Sequence, residues 1–255
     1  MGRMVSETLD IDNMPRGGPD ASWLDRRMQT DRLEYLDRDD ADDRKRRVIR
    51  ALDRGEKRLG QHDLMAGIVL DEIRGIPDPR ILELGAGHGG LSRAILALHE
   101  SARVTVTDID ATSVADIAAG DLGSHPRATV REMDATEIDS PDRSYDLVVF
   151  AQSFHHLPPR PAARVFAEGT RVADKLLIID LPRLPPWRHI LQSPLLLPLA
   201  LVFPVVHDGY ISALRAYSPS ALRTLARYAD PDIRVEVRRS AFNLRGRWEV
   251  AVASR

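Results

Sequence analysis

Short apolar runs alternate with helical stretches through the middle of the chain, and this alternation is typical of βαβ units around a parallel sheet. The runs predict strands at residues 80–84, 103–107, 129–133, 147–151 and 176–180. The helices between them are expected to begin near Gly89, Ala111 and Pro161. Two later runs, 232–238 and 247–253, complete a seven-stranded, mostly parallel sheet with helices on both faces. The predicted fold class is therefore a Rossmann-like α/β domain.

The first 76 residues have a different pattern and are predicted to form an N-terminal arm and a helical extension, ahead of the domain at 77–255. Residues 14–19 are rich in proline and glycine, which indicates an irregular arm. Apolar positions at helical spacing then predict helices over about 21–59 and 62–73. Both signs of charge crowd residues 37–47, which suits either a solvated helix face or a mobile lid over a substrate.

Residues 181–217 are predicted to form a helical cap inserted after the fifth strand. Its apolar run, 190–206, is too short for a transmembrane helix of about 20 residues and is interrupted by Pro194, Pro198 and Pro204. A membrane span is therefore not expected. The run fits a cover for the core or a wall of an acceptor pocket, and a peripheral membrane contact and a homodimer interface are the alternatives.

The most informative segment is the glycine-rich loop after the first predicted strand. Gly85, Gly87 and Gly90 let the backbone turn sharply and approach a ligand without side-chain obstruction, as nucleotide-binding loops do. Glu83 comes just before the loop, where its carboxylate can engage a cationic cofactor. Asp108 ends the next strand, where an acid accepts hydrogen bonds from ribose hydroxyls. The two acids therefore frame an adenosine site.

In these motifs the chain resembles the small-molecule branch of the class I methyltransferases. Glu83-x-Gly85-x-Gly87-x-Gly89 is similar to the first motif of that family, and Asp108 is similar to its ribose-binding acid. The turn at 133–135 resembles the one that holds adenine, and residues 144–150 with 154–157 resemble the fourth-strand motif. The resemblance covers residues 80–180 and implies S-adenosyl-L-methionine as the cofactor. The cofactor-binding residues that it implies are Glu83, Gly85, Ala86, Gly87, Gly89, Asp108, Ile109, Asp134, Ala135 and Ala151.

Other chemistries fit parts of the same segment. The glycine spacing also satisfies the dinucleotide fingerprint of nicotinamide oxidoreductases, although Glu83 and the turn at Asp134 argue against that class. Asp108-x-Asp110-x-Thr112 fits the nucleophile loop of haloacid-dehalogenase-like phosphatases, but that interpretation leaves the glycine loop unexplained. A non-catalytic protein that keeps the cofactor pocket and serves as a binding partner is the third alternative.

The acceptor side carries histidines, whose imidazoles titrate near neutral pH. A phenol or hydroxyl acceptor needs a base to take its proton, and the candidates for that catalytic role are His155, His156 and His207. Asp208 follows His207 and can orient its ring. Segment 207–218 loosely resembles one in methyltransferases of polyketide and phenolic-lipid pathways, which implies a small lipophilic or phenolic acceptor, methylated at oxygen, with nitrogen and carbon as alternatives. The predicted substrate-binding residues are Tyr210, Arg215 and Tyr217.

Composition and charge exclude further classes of binding partner. The 255 residues carry 36 basic and 38 acidic side chains, for a formal net charge of −2, so no global field favours nucleic acid. The chain has no cysteine, which excludes disulfides and cysteine-ligated zinc. No other metal-ligand cluster is evident in the sequence, so no metal is expected. The N-terminus lacks an apolar leader run, and a cytoplasmic location is therefore expected.

Overall fold

The computed structural model describes residues 10–35, 47–48, 55, 58–240 and 248–255. The charged stretch predicted as a solvated face or a lid lies outside these residues apart from its last position, as do much of the helix predicted over 21–59 and the first residue of the strand predicted at 247–253.

The continuous helical pattern predicted from residue 21 onward is wrong at residues 29–34, although the described residues 47–48, 55 and 58–59 are helical. Helix α1 spans only Trp23–Met28, and residues 29–34 are not helical. Tertiary contacts explain the early end. The side chain of Gln29 accepts a hydrogen bond from the backbone N–H of Arg16, and Glu34 is buried beside two histidines. These contacts outweigh the local helical spacing of apolar residues.

The seven predicted strands are present and form one sheet. Their bounds are β1 Arg80–Leu84, β2 Arg103–Asp108, β3 Ala128–Glu132, β4 Tyr145–Ala151, β5 Ala173–Asp180, β6 Arg234–Arg239 and β7 Glu249–Ser254. The order is β3-β2-β1-β4-β5-β7-β6, with β1 to β5 parallel and β7 antiparallel to both of its neighbours. Because β2 and β4 flank β1 on opposite sides, the carboxyl end of β1 lies at a switch point, where open α/β sheets bind their ligands.

Helices cover both faces of this sheet. After α1, the described α-helices are α2 Gln61–Glu72, α3 Gly90–Leu98, α4 Ala111–Ala119, α5 Pro159–Val172, α6 Pro186–Val202, α7 Pro204–Arg215 and α8 Pro219–Ala229. The starts of α3, α4 and α5 fall within two residues of the predicted positions. Ser218 caps α8, since its hydroxyl accepts a hydrogen bond from the backbone N–H of Ala221.

Side chains at alternating positions on the strands belong to two separate apolar cores, one on each face of the sheet. Leu82 and Val148 belong to one core, whereas their neighbours Ile81 and Val149 belong to the other. Ile11 and Met14 of the N-terminal arm are buried in the first core. The arm is therefore packed against the sheet, beside the elements that build the site.

Residues 181–217, predicted as a cap, contain α6 and α7. The expectation that prolines interrupt the apolar run is wrong at Pro194 and Pro198, because α6 continues through both. The two rings are four residues apart and exposed, so the missing backbone donors lie on one solvent-facing side. Pro204 does end α6 and begins α7. In the part of the chain that the structure describes, no helix combines the length and apolar character that crossing a bilayer requires.

Candidate active site

The glycine loop joins the carboxyl end of β1 to α3, and its backbone is left-handed at Gly85, Gly87 and Gly89. A Cβ on Gly85 would lie 2.8 Å from Ser153 Oγ and 2.9 Å from a ring carbon of Phe150, so this glycine is required by packing. A Cβ on Gly87 would meet no described atom within 4 Å. The loop is therefore tightly packed at its start and open above its centre, where a ligand can approach the backbone.

Asp108 closes the loop from the neighbouring strand. Its Oδ2 accepts a hydrogen bond from the backbone N–H of Gly87 at 2.8 Å, and its Oδ1 accepts one from Asp110 N at 3.0 Å. The backbone N–H of Ala86 donates to the carbonyl of Thr107 at 2.9 Å. A carboxylate offers about four acceptor positions, so Asp108 is oriented by two donors and keeps capacity for ribose hydroxyls.

Glu83 is a buried carboxylate beneath the loop, with 3% of its surface exposed. Burial raises the pKa of Glu83 to about 7, although the hydrogen bond from the Ser92 hydroxyl and the nearby His62 oppose the shift. An adjacent positive charge stabilises the ionised form of such a carboxyl. Glu83 is therefore suited to respond to a cationic ligand in the loop.

The adenine side of the predicted pocket lies between the ends of β2 and β3. The backbone N–H of Met133 donates to the carbonyl of Asp108 at 3.0 Å, which brings the two turns together. Asp134 is exposed, and its Oδ1 accepts bonds from the amide and hydroxyl of Thr136, both at 2.8 Å. Ile109 is 65% exposed, and Ala135 is partly buried against the core. The exposed Ile109 therefore offers an apolar surface to a nucleobase, and Asp134 offers a carboxylate whose orientation is fixed.

The chain bends sharply where β4 ends at Ala151. Gln152 is left-handed, with φ of 59°, although it is not a glycine. Non-glycine residues rarely adopt this conformation, and such strain concentrates at functional sites. Its backbone N–H donates to the carbonyl of Ile179 at 2.8 Å, which holds the bend against β5.

His155 lies in the short helical turn Phe154–His156 and is fixed by the end of β5. Asp180 Oδ1 is 2.7 Å from His155 Nδ1, and Asp180 Oδ2 accepts the backbone N–H of His155 at 2.8 Å. Burial lowers the pKa of His155, but the charges of Asp180 and Glu34 outweigh it and raise the value to about 9. For Asp180, burial raises the pKa, but the charge and hydrogen bond of His155 outweigh burial. The pKa of Asp180 therefore lies below its ordinary value.

Consecutive residues of the N-terminal arm connect the three candidate histidines. Glu34 Oε1 lies 3.5 Å from His155 Nε2, and Glu34 Oε2 lies 3.9 Å from His156 Nε2. The ring of Tyr35 lies 4.4 Å, between centroids, from that of His207. The structure therefore brings the histidines predicted from distant segments to one place.

His207 and Asp208 make the contact proposed for a base and its orienting acid, with 2.8 Å between His207 Nδ1 and Asp208 Oδ1. Asp208 Oδ1 also accepts the backbone N–H of Tyr35 at 2.9 Å. Because a carboxylate only accepts, His207 Nδ1 is the donor in this bond, and Nε2 is the ring nitrogen that Asp208 does not bind. The His207 side chain is 27% exposed, whereas that of His155 is 4% exposed. His207 is therefore reachable by a substrate and His155 is not.

The predicted substrate-binding residues fall into two groups. Tyr210 is half-buried, and its hydroxyl is 2.9 Å from Ser193 Oγ on α6. Arg215 and Tyr217 are buried, and they donate to the backbone carbonyls of His156 at 2.6 Å and Leu157 at 2.8 Å. Their described contacts hold the cap against the turn after β4, and direct contact with an acceptor stays a prediction.

Several buried charges that were not predicted from the sequence hold this site. Arg16 donates to the carbonyls of His155 and Leu157, at 3.0 and 2.8 Å, and Arg183 binds Asp25 at 2.8 Å. Asp180 had a sequence signal, as an acid at the carboxyl end of a strand. Arg16 and Glu34 had none, because their partners are more than 100 positions away. Glu34, His155 and His156 also form a donor set of metal-ligand type, where the sequence predicted no such cluster.

The strand order, the glycine loop and the two acids resemble those of class I methyltransferase domains. The nicotinamide alternative implies the strand order 3-2-1-4-5-6, which lacks the antiparallel β7 between β5 and β6. The phosphatase alternative needs Asp110 as a reacting acid. In the structure Asp110 caps α4, because its carboxylate accepts bonds from Thr112 N at 3.2 Å and Ser113 Oγ at 2.9 Å.

Comparisons with known proteins confirm this resemblance. Residues 81–175 match the model of a methyltransferase domain family. The chain is 31% identical over 134 residues to a malonyl-[acyl-carrier protein] O-methyltransferase of Geobacter sulfurreducens, covering 50% of this chain and 49% of that protein. It is 35% identical over 136 residues to a phosphatidylethanolamine N-methyltransferase of Cereibacter sphaeroides, covering 49% and 64%. The chain thus spans about half to under two thirds of the length of these relatives.

Solved structures share the fold at low sequence identity. The plantazolicin methyltransferase BamL superposes with a TM-score of 0.61 at 11% identity, covering 91% of this chain and 96% of that one. The magnesium protoporphyrin IX methyltransferase of Synechocystis PCC 6803 superposes with a TM-score of 0.59 at 17% identity, covering 87% and 96%. The predicted Rossmann-like fold is confirmed.

Proposed function

We propose that this chain is an S-adenosylmethionine-dependent methyltransferase that methylates a small lipophilic acceptor at oxygen. The observation that carries the proposal is the pairing of an open glycine loop, oriented by Asp108, with a reachable His207–Asp208 pair at the same edge of the sheet. The family match and the two structural relatives crystallised with S-adenosylhomocysteine, BamL and the Synechocystis enzyme, support the choice of cofactor.

The cofactor side follows from residues already fixed in place. S-adenosylmethionine, when bound, supplies a methyl group on a positively charged sulfur. Asp108 accepts hydrogen bonds from the ribose, Asp134 accepts one from the adenine amine, and Ile109 packs against the base. Glu83 beneath the loop stabilises the positive charge of the ligand, because ionisation of a buried carboxyl becomes favourable beside a cation.

The acceptor side accounts for the choice of oxygen. A hydroxyl acceptor must lose a proton as its oxygen bonds to the methyl carbon and the carbon–sulfur bond breaks. His207 Nε2 accepts that proton, and Asp208 stabilises the resulting imidazolium and fixes the ring through Nδ1. Exclusion of water and alignment of the two reactants contribute most of the remaining acceleration. Amine acceptors that arrive uncharged do not need this pair.

Exposed apolar side chains of α6 support a lipophilic acceptor. Leu191, Leu195 and Leu201 are 72%, 68% and 90% exposed, on the helix whose Ser193 contacts Tyr210. Apolar surface of this kind gains about 25 cal/mol for each Å² that a ligand covers. A long alkyl chain lying along α6 would place a phenolic head group near His207.

The test is a methyl-transfer assay with labelled S-adenosylmethionine and alkylphenols of increasing chain length. We expect turnover to increase with chain length, and mass spectrometry to locate the methyl group on oxygen. Leu191→Ser with Leu201→Ser should raise KM for the long-chain phenol and leave the short one unchanged. Leu98→Ser is the matched control, because Leu98 is 55% exposed on α3. Methylation of an amine or carbon acceptor, or a folded protein that binds cofactor but methylates nothing, would overturn the proposal.

A further inference from the structure

We infer that Glu34, His155 and His156 bind a divalent transition-metal ion, such as Zn²⁺, between the N-terminal arm and the turn after β4. Their ligand atoms, one carboxylate oxygen and two imidazole nitrogens, all lie within 4.8 Å of one another. The inference does not depend on the proposed methyl transfer, because it concerns only what these three side chains bind.

The spacing of these atoms suits a single cation. Zinc lies about 2.1 Å from its nitrogen and oxygen ligands, which places neighbouring ligands about 3–4 Å apart. The carboxylate of Glu34 lies 3.5 Å from His155 Nε2 and 3.9 Å from His156 Nε2. Small rotations of side chains are sufficient to bring the three atoms around an ion.

His155 Nε2 is an independent sign of a ligand. This nitrogen is fully buried, and its contact with the Glu34 carboxylate is 3.5 Å long, which is too long for a good hydrogen bond. Buried polar atoms normally have a partner, and an unpartnered one requires an explanation such as an ion. The nitrogen points toward the Glu34 carboxylate, where a metal would lie.

The surrounding contacts are those that accompany metal-binding histidines. His155 Nδ1 is 2.7 Å from Asp180 Oδ1, and a carboxylate in this position fixes the ring of a ligand and makes its other nitrogen more basic. Ser212 Oγ donates to Glu34 Oε1 at 2.8 Å and orients the carboxylate ligand. The nearby cation Arg215 donates to the backbone carbonyl of His156 at 2.6 Å.

The ligand types indicate which metals fit. Two imidazoles and one carboxylate suit Zn²⁺, Fe²⁺ and related ions, whereas Mg²⁺ and Ca²⁺ prefer oxygen ligands alone. Three protein ligands leave a coordination position open to water or to an acceptor oxygen. Buried Glu34 and Asp180 together supply two negative charges, which compensate a divalent cation.

The test measures metal binding by the full chain after treatment with a chelator. Titration with Zn²⁺ by calorimetry, and with Co²⁺ by visible d–d absorption, should give about one ion per chain. Glu34→Gln and His156→Asn should each weaken binding at least about tenfold, and Asp180→Asn should weaken it by about 10–100-fold. The control is His125→Asn, since His125 lies in a loop before β3, and it should bind like the unmodified protein.

Circular dichroism and thermal unfolding without metal identify variants that fail to fold. Ser212→Ala keeps all three ligands and removes the hydroxyl that contacts Glu34 and the backbone carbonyl of Asp208, so it should fold and bind more weakly than the unmodified protein. Binding that is unchanged by Glu34→Gln and Ser212→Ala would overturn the inference, as would the absence of d–d absorption with Co²⁺. In that case the three side chains form only an ion pair.

Discussion

The backbone N–H of Gly87 donates a 2.8 Å hydrogen bond to Oδ2 of Asp108, and this bond joins the glycine loop after β1 to the acid at the end of β2. A ligand that contacts the loop is thereby placed beside a carboxylate that is already oriented. Such prearranged groups lose little freedom on binding, which favours affinity.

Cofactor affinity should depend on pH through Glu83. Its pKa of about 7 lies above the ordinary value of 4.5, so the unliganded site holds a proton below about pH 7. A cationic cofactor favours the ionised form, and affinity should therefore rise as the pH increases through 7. Calorimetry in buffers of different ionisation enthalpy measures the released proton. Glu83→Gln should bind more weakly and lose the dependence, whereas His62→Asn should keep it.

The same carboxyl should lower the stability of the unliganded protein at neutral pH. Because the folded pKa is raised, the folded state binds more protons than the unfolded state between pH 4.5 and 7, and stability falls across that window. A shift of this size corresponds to about 3 kcal/mol. Glu83→Gln should therefore be more stable than the unmodified protein at pH 8, and a less stable variant would contradict the assignment.

Two glycines of the loop should respond differently to alanine. Gly85→Ala creates a Cβ within 3 Å of Ser153 and Phe150, so the protein should lose stability. Gly87→Ala has open space and incurs only the cost of a left-handed backbone, about 1–2 kcal/mol. It should fold but lose cofactor binding, because its methyl group occupies the ligand's space. Thermal unfolding with calorimetry separates the two effects, and normal binding by Gly87→Ala would exclude this position as a ligand contact.

His207→Asn should lower kcat by about 10²–10⁴-fold and leave cofactor affinity unchanged, since the imidazole is proposed to accept the proton of the acceptor. The rate of the variant on a phenol should recover as the pH approaches the pKa of the phenol. Asp208→Asn should reduce kcat in the same direction, because Asp208 orients the ring. An unchanged kcat in both variants would remove His207 from the mechanism.

The buried pair of Asp25 and Arg183 should matter for stability more than exposed pairs do. Arg183 also donates to the carbonyls of Leu214 and Ala216, so Asp25→Ala leaves an uncompensated buried charge. We expect a loss of about 3–5 kcal/mol by denaturant unfolding. The exposed control is Asp121→Ala, which removes an ion pair with Arg93. The Asp121 side chain is 67% exposed, so this variant should lose under about 1 kcal/mol of unfolding free energy. Equal losses of stability in Asp25→Ala and Asp121→Ala would contradict the prediction that the buried pair matters more than an exposed one.

The inner strands β1, β4 and β5 were predictable because they are largely buried on both faces and read as nearly continuous apolar runs bounded by turn residues. The glycine loop and Asp108 follow strand ends, and parallel topology places those ends together. Most of the candidate cofactor site can therefore be predicted from local sequence. The N-terminal arm was not predictable in the same way, because α1 ends where Gln29 and Glu34 form contacts with distant residues.

The acceptor side was only partly predictable for the same reason. The pairing of His207 with Asp208 could be proposed from adjacency, but its geometry depends on Tyr35, whose backbone N–H donates to the acid. The metal-type cluster needs Glu34 beside His155, and these are 121 positions apart. No periodicity or local motif indicates such a contact. Proline spacing was misleading in α6, because exposed backbone tolerates the missing donors.

Calorimetric titration of the full chain with S-adenosylmethionine and S-adenosylhomocysteine tests the central claim most directly. Both should bind, and Asp108→Asn should lose about 2 kcal/mol, or roughly 30-fold in affinity, because it weakens bonds to the ribose. Asp110→Asn should bind normally, since asparagine also caps a helix. No heat with either ligand from folded protein, together with binding of NAD or a phosphoryl compound, would contradict the account.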